Sequence, residues 1–259
     1  LAADAATTGD NNTVVGYQAA TTMTTGNENT ALGHKALYTN QAGDRNVAVG
    51  SWALYDYSPS SNEDSYNVAV GYHCLGNDTT GAYNTAVGSL ALEDNTTGGY
   101  NTAIGYQAML DSTTSSYNTA VGRYALSSLT TGSEDVAIGN YALKICTTGE
   151  RNVAVGSYAM DALTTANWSV AIGYEALTNQ STGNYNTAVG YQALEDLTSA
   201  VDNVAVGLRA LEENNANDNV AVGNYSLEEN TTGTKNCALG RSALSANTTG
   251  SYNTAIGYG

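Results

Sequence analysis

The chain has no phenylalanine, a single proline (Pro59), two histidines and three cysteines, and only 8 of its 259 residues are lysine or arginine. Each shortage excludes something. Eight cations against 24 acidic residues leave a formal net charge of −16, which excludes nucleic acid as a natural partner. His34 and His73 have no serine, cysteine or carboxylate in recurring company, so the sequence offers no catalytic triad. Nor does any glycine-rich loop join a phosphate-binding lysine. An enzyme is not expected. No apolar run approaches the roughly 20 residues of a membrane span. Three cysteines cannot make a complete disulfide set. Cys74 stands in a slot filled elsewhere by Ala, Cys146 in one sometimes filled by Leu or Met, and Cys237 in one filled by Thr or Val, so each reads as a small hydrophobe. Leu1 is not an initiator Met and no charged-then-apolar leader follows it, which reads as a processed product or a piece of something longer.

What is abundant is one pentapeptide, cleanest as Asn84-Thr85-Ala86-Val87-Gly88. It occurs fifteen times, with successive glycines 17 residues apart except for one interval of 21 (Gly50 to Gly71) and one of 16 (Gly207 to Gly223). A short fixed period over the whole length is the signature of a solenoid, in which each unit is too small to bury a core and is stabilised by its neighbours. Residues 1–259 are therefore expected to form a single repeat domain of about fifteen 17-residue coils. At one strand spacing per coil this predicts a rod on the order of 70 Å.

With the glycine as position 0, position −1 is Val, Ile or Leu in all fifteen copies, position −2 is Ala in fourteen (Val14 differs), and position −3 is Thr, Val or once Cys. Position −4 is Asn in thirteen, replaced by Asp135 and Ser169. This is period-two alternation with β-branched enrichment, which predicts a short strand. The structural set is typified by Asn84, Ala86, Val87 and Gly88, by Asn101, Ala103, Ile104 and Gly105, and by Asn118, Ala120, Val121 and Gly122. The Thr/Val–Val/Ile face is expected to be the ordinary core face. The constancy of Ala implies that the Asn–Ala–Gly face is buried too, against another limb of the coil or a neighbouring chain.

Apolar residues at 0, +3, +4 and +7 follow helical spacing, yet stacked strands lie about 4.8 Å apart and helices 8–10 Å. The limb after the glycine is thus open between a single helical turn, a 3₁₀ turn and a bent second strand. The fold class is all-β, a parallel β-solenoid or β-roll, with a small α/β solenoid as the alternative. Seven coils between residues 24 and 250 close on Thr-Thr-Gly, where the glycine permits a tight reversal. Four coils running carry Tyr66, Tyr83, Tyr100 and Tyr117, which predicts a tyrosine ladder beside an asparagine ladder. The extra residues within 57–61 predict an outward loop, and Asn214-Asn215-Ala216-Asn217 a shortened turn.

Six carboxylates, Glu195, Asp196, Glu212, Glu213, Glu228 and Glu229, fall at equal positions in three successive coils. They are the one candidate for Ca²⁺, against a solvated acidic edge as the plainer reading, and no other cofactor is indicated. Asn-x-Ser/Thr sequons occur at Asn11, Asn77, Asn95, Asn167, Asn179, Asn230 and Asn247, of which Asn95, Asn230 and Asn247 lie at the Thr-Thr-Gly turn and are candidate glycosylation sites. Leu1 and Gly259 stand in the same phase of the repeat, with no polar capping coil at either end. That predicts contacts beyond one monomer, head to tail or laterally through the Asn–Ala–Gly face.

The unit Asn-Thr/Val-Ala-Val/Ile-Gly-Tyr-Gln-Ala-Leu resembles the head repeats of trimeric autotransporter adhesins. It is more similar still to Asn-Thr-Ala-x-Gly-Tyr-Gln-Ala-Leu…Thr-Thr-Gly arrays of bacterial and phage tail-fibre-like proteins. The resemblance implies a parallel β-roll or β-solenoid, often trimeric, serving as a shaft or adhesive head outside a cell or on a virion. The expected function is accordingly structural, in an extracellular, cell-surface or virion fibre that self-associates. The alternative is an adhesin that binds surface glycans through its tyrosines, asparagines and threonines. Ice binding is disfavoured, because the paired threonines are adjacent in a turn and not separated by one inward residue.

Overall fold

Every copy of the pentapeptide folds into a three-residue strand, and no helix occurs among the described residues. The computed structural model describes residues 8–60 and 64–259, so Leu1 and Ser61 lie outside it. The chain packs as two units, Leu1–Ser133 and Glu134–Gly259. The first carries strands β1 (Thr13–Val15) to β7 (Thr119–Val121), the second β8 (Val136–Ile138) to β15 (Thr254–Ile256). Within each unit successive strands pair in parallel and in register, as in Thr85↔Thr102, Ala86↔Ala103 and Val87↔Ile104. Each unit is a parallel β-solenoid. The shortened coil keeps its register, Val204↔Val220, because the missing residue comes out of the turn and not the strand.

Of the strand's two faces, the Asn–Ala–Gly face is buried as expected, but the Thr/Val–Val/Ile face is not the core face. Ala86, Ala103 and Ala120 have no exposed surface and point into their own coils, against Ala91, Ala108 and Ala125 at +3 and Leu92, Met109 and Leu126 at +4. The β-branched positions point outward: Val87 is 36% and Ile104 39% exposed, and Val121 is partly exposed. The lumen of a 17-residue coil is narrow, so the strand presents its smallest side chain inward and opposes it with one Leu or Met. Of the two explanations for the constant Ala, another limb of the same coil is the one found. The Asn–Ala–Gly face is therefore not a lateral surface.

The limb after each glycine is neither helix nor strand. Positions +2 and +4 adopt left-handed backbone, as in Gln107 (φ 53°) and Met109 (φ 52°), and so does position −5, as in Tyr100 (φ 60°). These reversals let the limb hydrogen-bond along the stack although it is not extended. Gln107 N–H donates back to Ser89 O (3.1 Å), Met109 N–H forward to Ala125 O (3.0 Å), and Asp111 N–H forward to Ser127 O (2.9 Å). The strand residues do likewise, with Thr102 N–H to Asn118 O and Gly105 N–H to Val87 O, both at 2.8 Å. Apolar positions +3, +4 and +7 share the interior because the turns aim them there, not because a helix does.

Gly105 shows why position 0 tolerates nothing else. Its φ is +138°, and a Cβ built on it would lie 2.5 Å from the carbonyl oxygen of Gly122 in the next coil. Gly105→Ala is expected to lower stability by roughly 3 kcal/mol or more, from backbone strain and loss of coil contact together. Gln107→Asn, two residues on, should be neutral or mildly stabilising, since Asn accepts left-handed backbone. Denaturant unfolding of the two variants checks the pair. Equal losses would show that coil spacing is not set by the missing side chain.

Candidate interaction surface

Four outward columns run across the coils at −5, −3, −1 and +1. The two central ones are wholly uncharged: Thr, Val or Cys at −3 and Val, Ile or Leu at −1. Exposure at −1 is 48% for Leu32, 36% for Val87 and 39% for Ile104 in the first unit, and 40% for Ile138 and 41% for Ile172 in the second. A regular sheet face therefore carries contiguous β-branched side chains in partial contact with solvent, which monomeric proteins ordinarily avoid. Cys237 belongs to this surface. It occupies position −3 and is exposed, whereas Cys74 and Cys146 are buried as a small hydrophobe would be.

Tyrosines flank the central columns. At −5, the ring centroids of Tyr66, Tyr83, Tyr100 and Tyr117 are 5.4, 4.8 and 5.1 Å apart in turn, with interplanar angles of 22°, 6° and 8°. The expected tyrosine ladder is present. Its rings stack on one another, so their faces are covered and their edges and hydroxyls meet solvent. That weakens a glycan reading, because a sugar ring packs on an open aromatic face.

The −5 column repeats a motif that spans coils and so escapes linear reading. Glu28 pairs with Arg45 (3.0 Å), Arg45 lies 5.5 Å from the Tyr66 ring centroid, and the tyrosines follow. In the second unit Glu134 pairs with Arg151 (2.9 Å), Arg151 lies 5.8 Å from Trp168, and Trp168 stacks on Tyr185 at 5.3 Å. These cations end an aromatic stack, with the quadrupole of the ring facing the charge.

Behind the surface runs the asparagine ladder. Asn84, Asn101 and Asn118 are at most 1% exposed. Asn101 N–H donates to Asn84 Oδ1 (3.0 Å), and Asn118 N–H to Asn101 Oδ1 (3.0 Å). The amide nitrogens bond across the lumen, Asn84 to Gly98 O and Asn101 to Ser115 O, each at 2.8 Å. Each Asn thus accepts from the backbone of the coil above and donates to the turn of that same coil. The expected asparagine ladder is present, and it runs mainly from side chain to backbone.

The acidic candidates are not brought together as a cation site. Glu195, Glu212 and Glu228 at +5 are half-buried, while Asp196, Glu213 and Glu229 at +6 face outward. Arg209 stands among the first column, 3.4 Å from Glu212 and 3.8 Å from Glu228. Among the described residues no three His, Cys, Asp or Glu side chains gather as a metal site. Burial, then neighbouring carboxylates, holds Glu195 above the ordinary carboxylate range; at Glu212 burial again dominates and Arg209 opposes it. The turn sequons are also corrected. Asn95 and Asn230 are fully buried and donate to Gly98 O (3.0 Å) and Gly233 O (2.9 Å), so neither amide can carry a glycan in the folded chain. Asn247, partly buried, is likewise turned to Gly250 O (3.0 Å). His73 lies 3.0 Å from Glu93 and His34 stacks on Tyr17 at 5.7 Å; both rings also adjoin Trp52, 5.9 Å from His34 and 6.0 Å from His73.

Compared with known proteins, the chain matches no family model and no curated protein.

One rung of the ladder is an acid. Asp135 takes the place of Asn at −4, is fully buried, and accepts from Asn152 N–H (2.8 Å) and Asn152 Nδ2 (3.1 Å). Burial pushes its pKa up to about 7, against the opposing pull of those two donors. An acid whose folded pKa is raised binds its proton more tightly in the native state. Its favourable contribution is complete below about pH 4 and is lost as the pH climbs towards about 7. Asp135→Asn is expected to stabilise the protein by a few kcal/mol, as an order of magnitude, at pH 8, and to give no gain at pH 4. Unfolding at both pH values checks this. A gain independent of pH would remove ionisation as its cause.

Proposed function

We propose that the chain is a structural segment of an extracellular or virion fibre, a shaft whose coils set length and whose copies associate side by side through the outward β-branched face. One observation carries the reading: the two central columns expose Val, Ile and Leu and hold none of the chain's 32 charged residues (24 acidic plus 8 basic). A net charge of −16 repels like copies at long range, so contact between them needs a surface from which charge is absent. A second copy brings the same strand spacing, which lets the β-branched columns meet at a common repeat. In the first unit, seven strands about 4.8 Å apart and six residue steps from −5 to +1 give a face on the order of 600 Å². That approaches the roughly 800 Å² that each partner contributes to a standard interface.

The extracellular or virion setting is supported by the resemblance of the repeats to tail-fibre-like arrays and adhesin heads. Glycan binding is less well supported, since the tyrosine ring faces are taken up by one another.

Sedimentation velocity over a concentration series tests the association. The native chain is expected to assemble, and Val87→Glu with Ile104→Glu to weaken assembly at least about tenfold by desolvating charge at the contact. A matched pair on the turn edge, Thr97→Glu with Thr114→Glu, adds the same charge and should change little. Cys237 gives a second readout, because mild oxidation of an in-register parallel assembly should trap disulfide-linked pairs. A native chain that stays monomeric at high concentration, or two variants that behave alike, would sink the proposal.

A further inference from the structure

Position +7, where each coil's interior meets its turn, carries a recurring bond to the turn carbonyl where the residue is Asn or Gln, and at Asn40 a pair of bonds. Asn40 Oδ1 accepts from Gly43 N–H (2.7 Å), and Asn40 Nδ2 donates to Gly43 O (3.0 Å). Asn95, Asn230 and Asn247 donate to the carbonyls of Gly98, Gly233 and Gly250, at 3.0, 2.9 and 3.0 Å. Gln180 donates to Gly183 O, and even the Cys146 thiol points at Gly149 O (3.9 Å). The turn carbonyl is offered a side-chain donor by every one of these residues.

Asp78 occupies the same column and is fully buried. Its Oδ1 accepts from Gly81 N–H at 2.7 Å, as Asn40 does from Gly43. Its Oδ2 therefore takes the place of the amide nitrogen, is buried, and has no donor of its own. A carboxylate there would set an anionic oxygen in the slot from which the amide residues at +7 give the turn carbonyl a proton, and which Leu fills elsewhere without charge. We infer that Asp78 is carried in the folded protein as the neutral acid, with Oδ2–H donated to Gly81 O, and that its ionisation is a pH-sensitive latch on the Asp78–Gly81 turn.

The surroundings offer the anion little. Along the column stand Tyr57 in the coil before, itself buried, and Asn95 in the coil after; Asn67 of the ladder donates to Gly81 O (2.7 Å). Cys74, on the limb of the same coil, has its thiol pushed up to about 12 by burial and is neutral. Acids stand at +5 and +6 of the flanking coils: Asp56 before, its N–H on Gly76 O (3.0 Å), and after, Glu93 beside His73 and Asp94 accepting from Asn77 (2.8 Å). None of the ion pairs among the described residues reaches Asp78. Burial accordingly raises its pKa well above the carboxylate range, opposed only by the Gly81 N–H and the Asn95 amide. The latch is closed below about pH 4, and each pH unit above that, up to the folded pKa, weakens the local folding constant by up to about tenfold.

Carboxyl-¹³C NMR of the full chain tests the protonation state. The Asp78 signal is expected to hold its protonated position at pH 6, where ordinary aspartates have titrated. Hydrogen exchange tests the latch. Protection of the Thr80 and Gly81 amides, corrected for intrinsic exchange, should fall with rising pH in the native chain and stay flat in Asp78→Asn, which installs the donor that Asn95 already provides. An Asp78 carboxyl that titrates near 4, or protection that responds to pH identically in both chains, overturns the inference.

Discussion

A coil of seventeen residues has only the coils on either side with which to satisfy its backbone. That constraint shapes everything else. A strand of three residues cannot meet it, so the remaining limb also bonds along the stack, through reversals at +2, +4 and −5 that place amides and carbonyls parallel to it. Side chains complete the account where the backbone turns away. The Asn at −4 accepts one orphan amide and donates to one orphan carbonyl per coil, and the first Thr of the turn donates its hydroxyl to the next coil, as Thr79 does to Thr96 O at 2.7 Å. With Ala as the commonest inward residue, burial per coil is modest. Backbone and amide pairing between coils therefore bear an unusual share of the specificity.

The period, the strand and both ladders were legible in the sequence, because a repeated requirement leaves a repeated residue. Direction was not. Alternation separates two faces but does not say which one is enclosed, and bulk is a misleading guide when the lumen admits only a methyl group. The constancy of Ala86 rightly marked burial, but Val87 and Ile104 also look like core, and the narrow coil turns them outward. The limb was illegible for a different reason. Gln107, Trp52, His73 and Arg209 all sit at +2 with positive φ, and no residue type marks that conformation because the neighbouring coils impose it. Asn95 misled as a sequon for the same cause: a local tripeptide cannot report that its asparagine faces inward.

The surface and the buried acids answer to one electrostatic situation. Carboxylates outnumber cations three to one, and none of those charges stands in the central β-branched columns. The carboxylates whose ionisation is perturbed, from Asp78 and Asp135 in the interior to Glu93, Asp111, Asp161, Glu195 and Glu212 nearer the surface, are all shifted upward, with burial the first cause in each. Acidification therefore relieves repulsion and strengthens the coils at once, the opposite of a protein held together by ionised salt bridges.

Because each position bonds chiefly to the same position or its immediate neighbour one coil away, the boundary between any two coils of a unit is of one chemical kind. A gene that gains or loses one whole repeat by slippage creates no new kind of junction and leaves no partner stranded. A slip of any other size breaks register along every ladder unless it falls in the turn, where the residues around Pro59 and the shortened segment at Asn215 both lie. Length in such a chain is inherited in whole-coil steps, and natural variants are free to differ in reach without redesign of any contact.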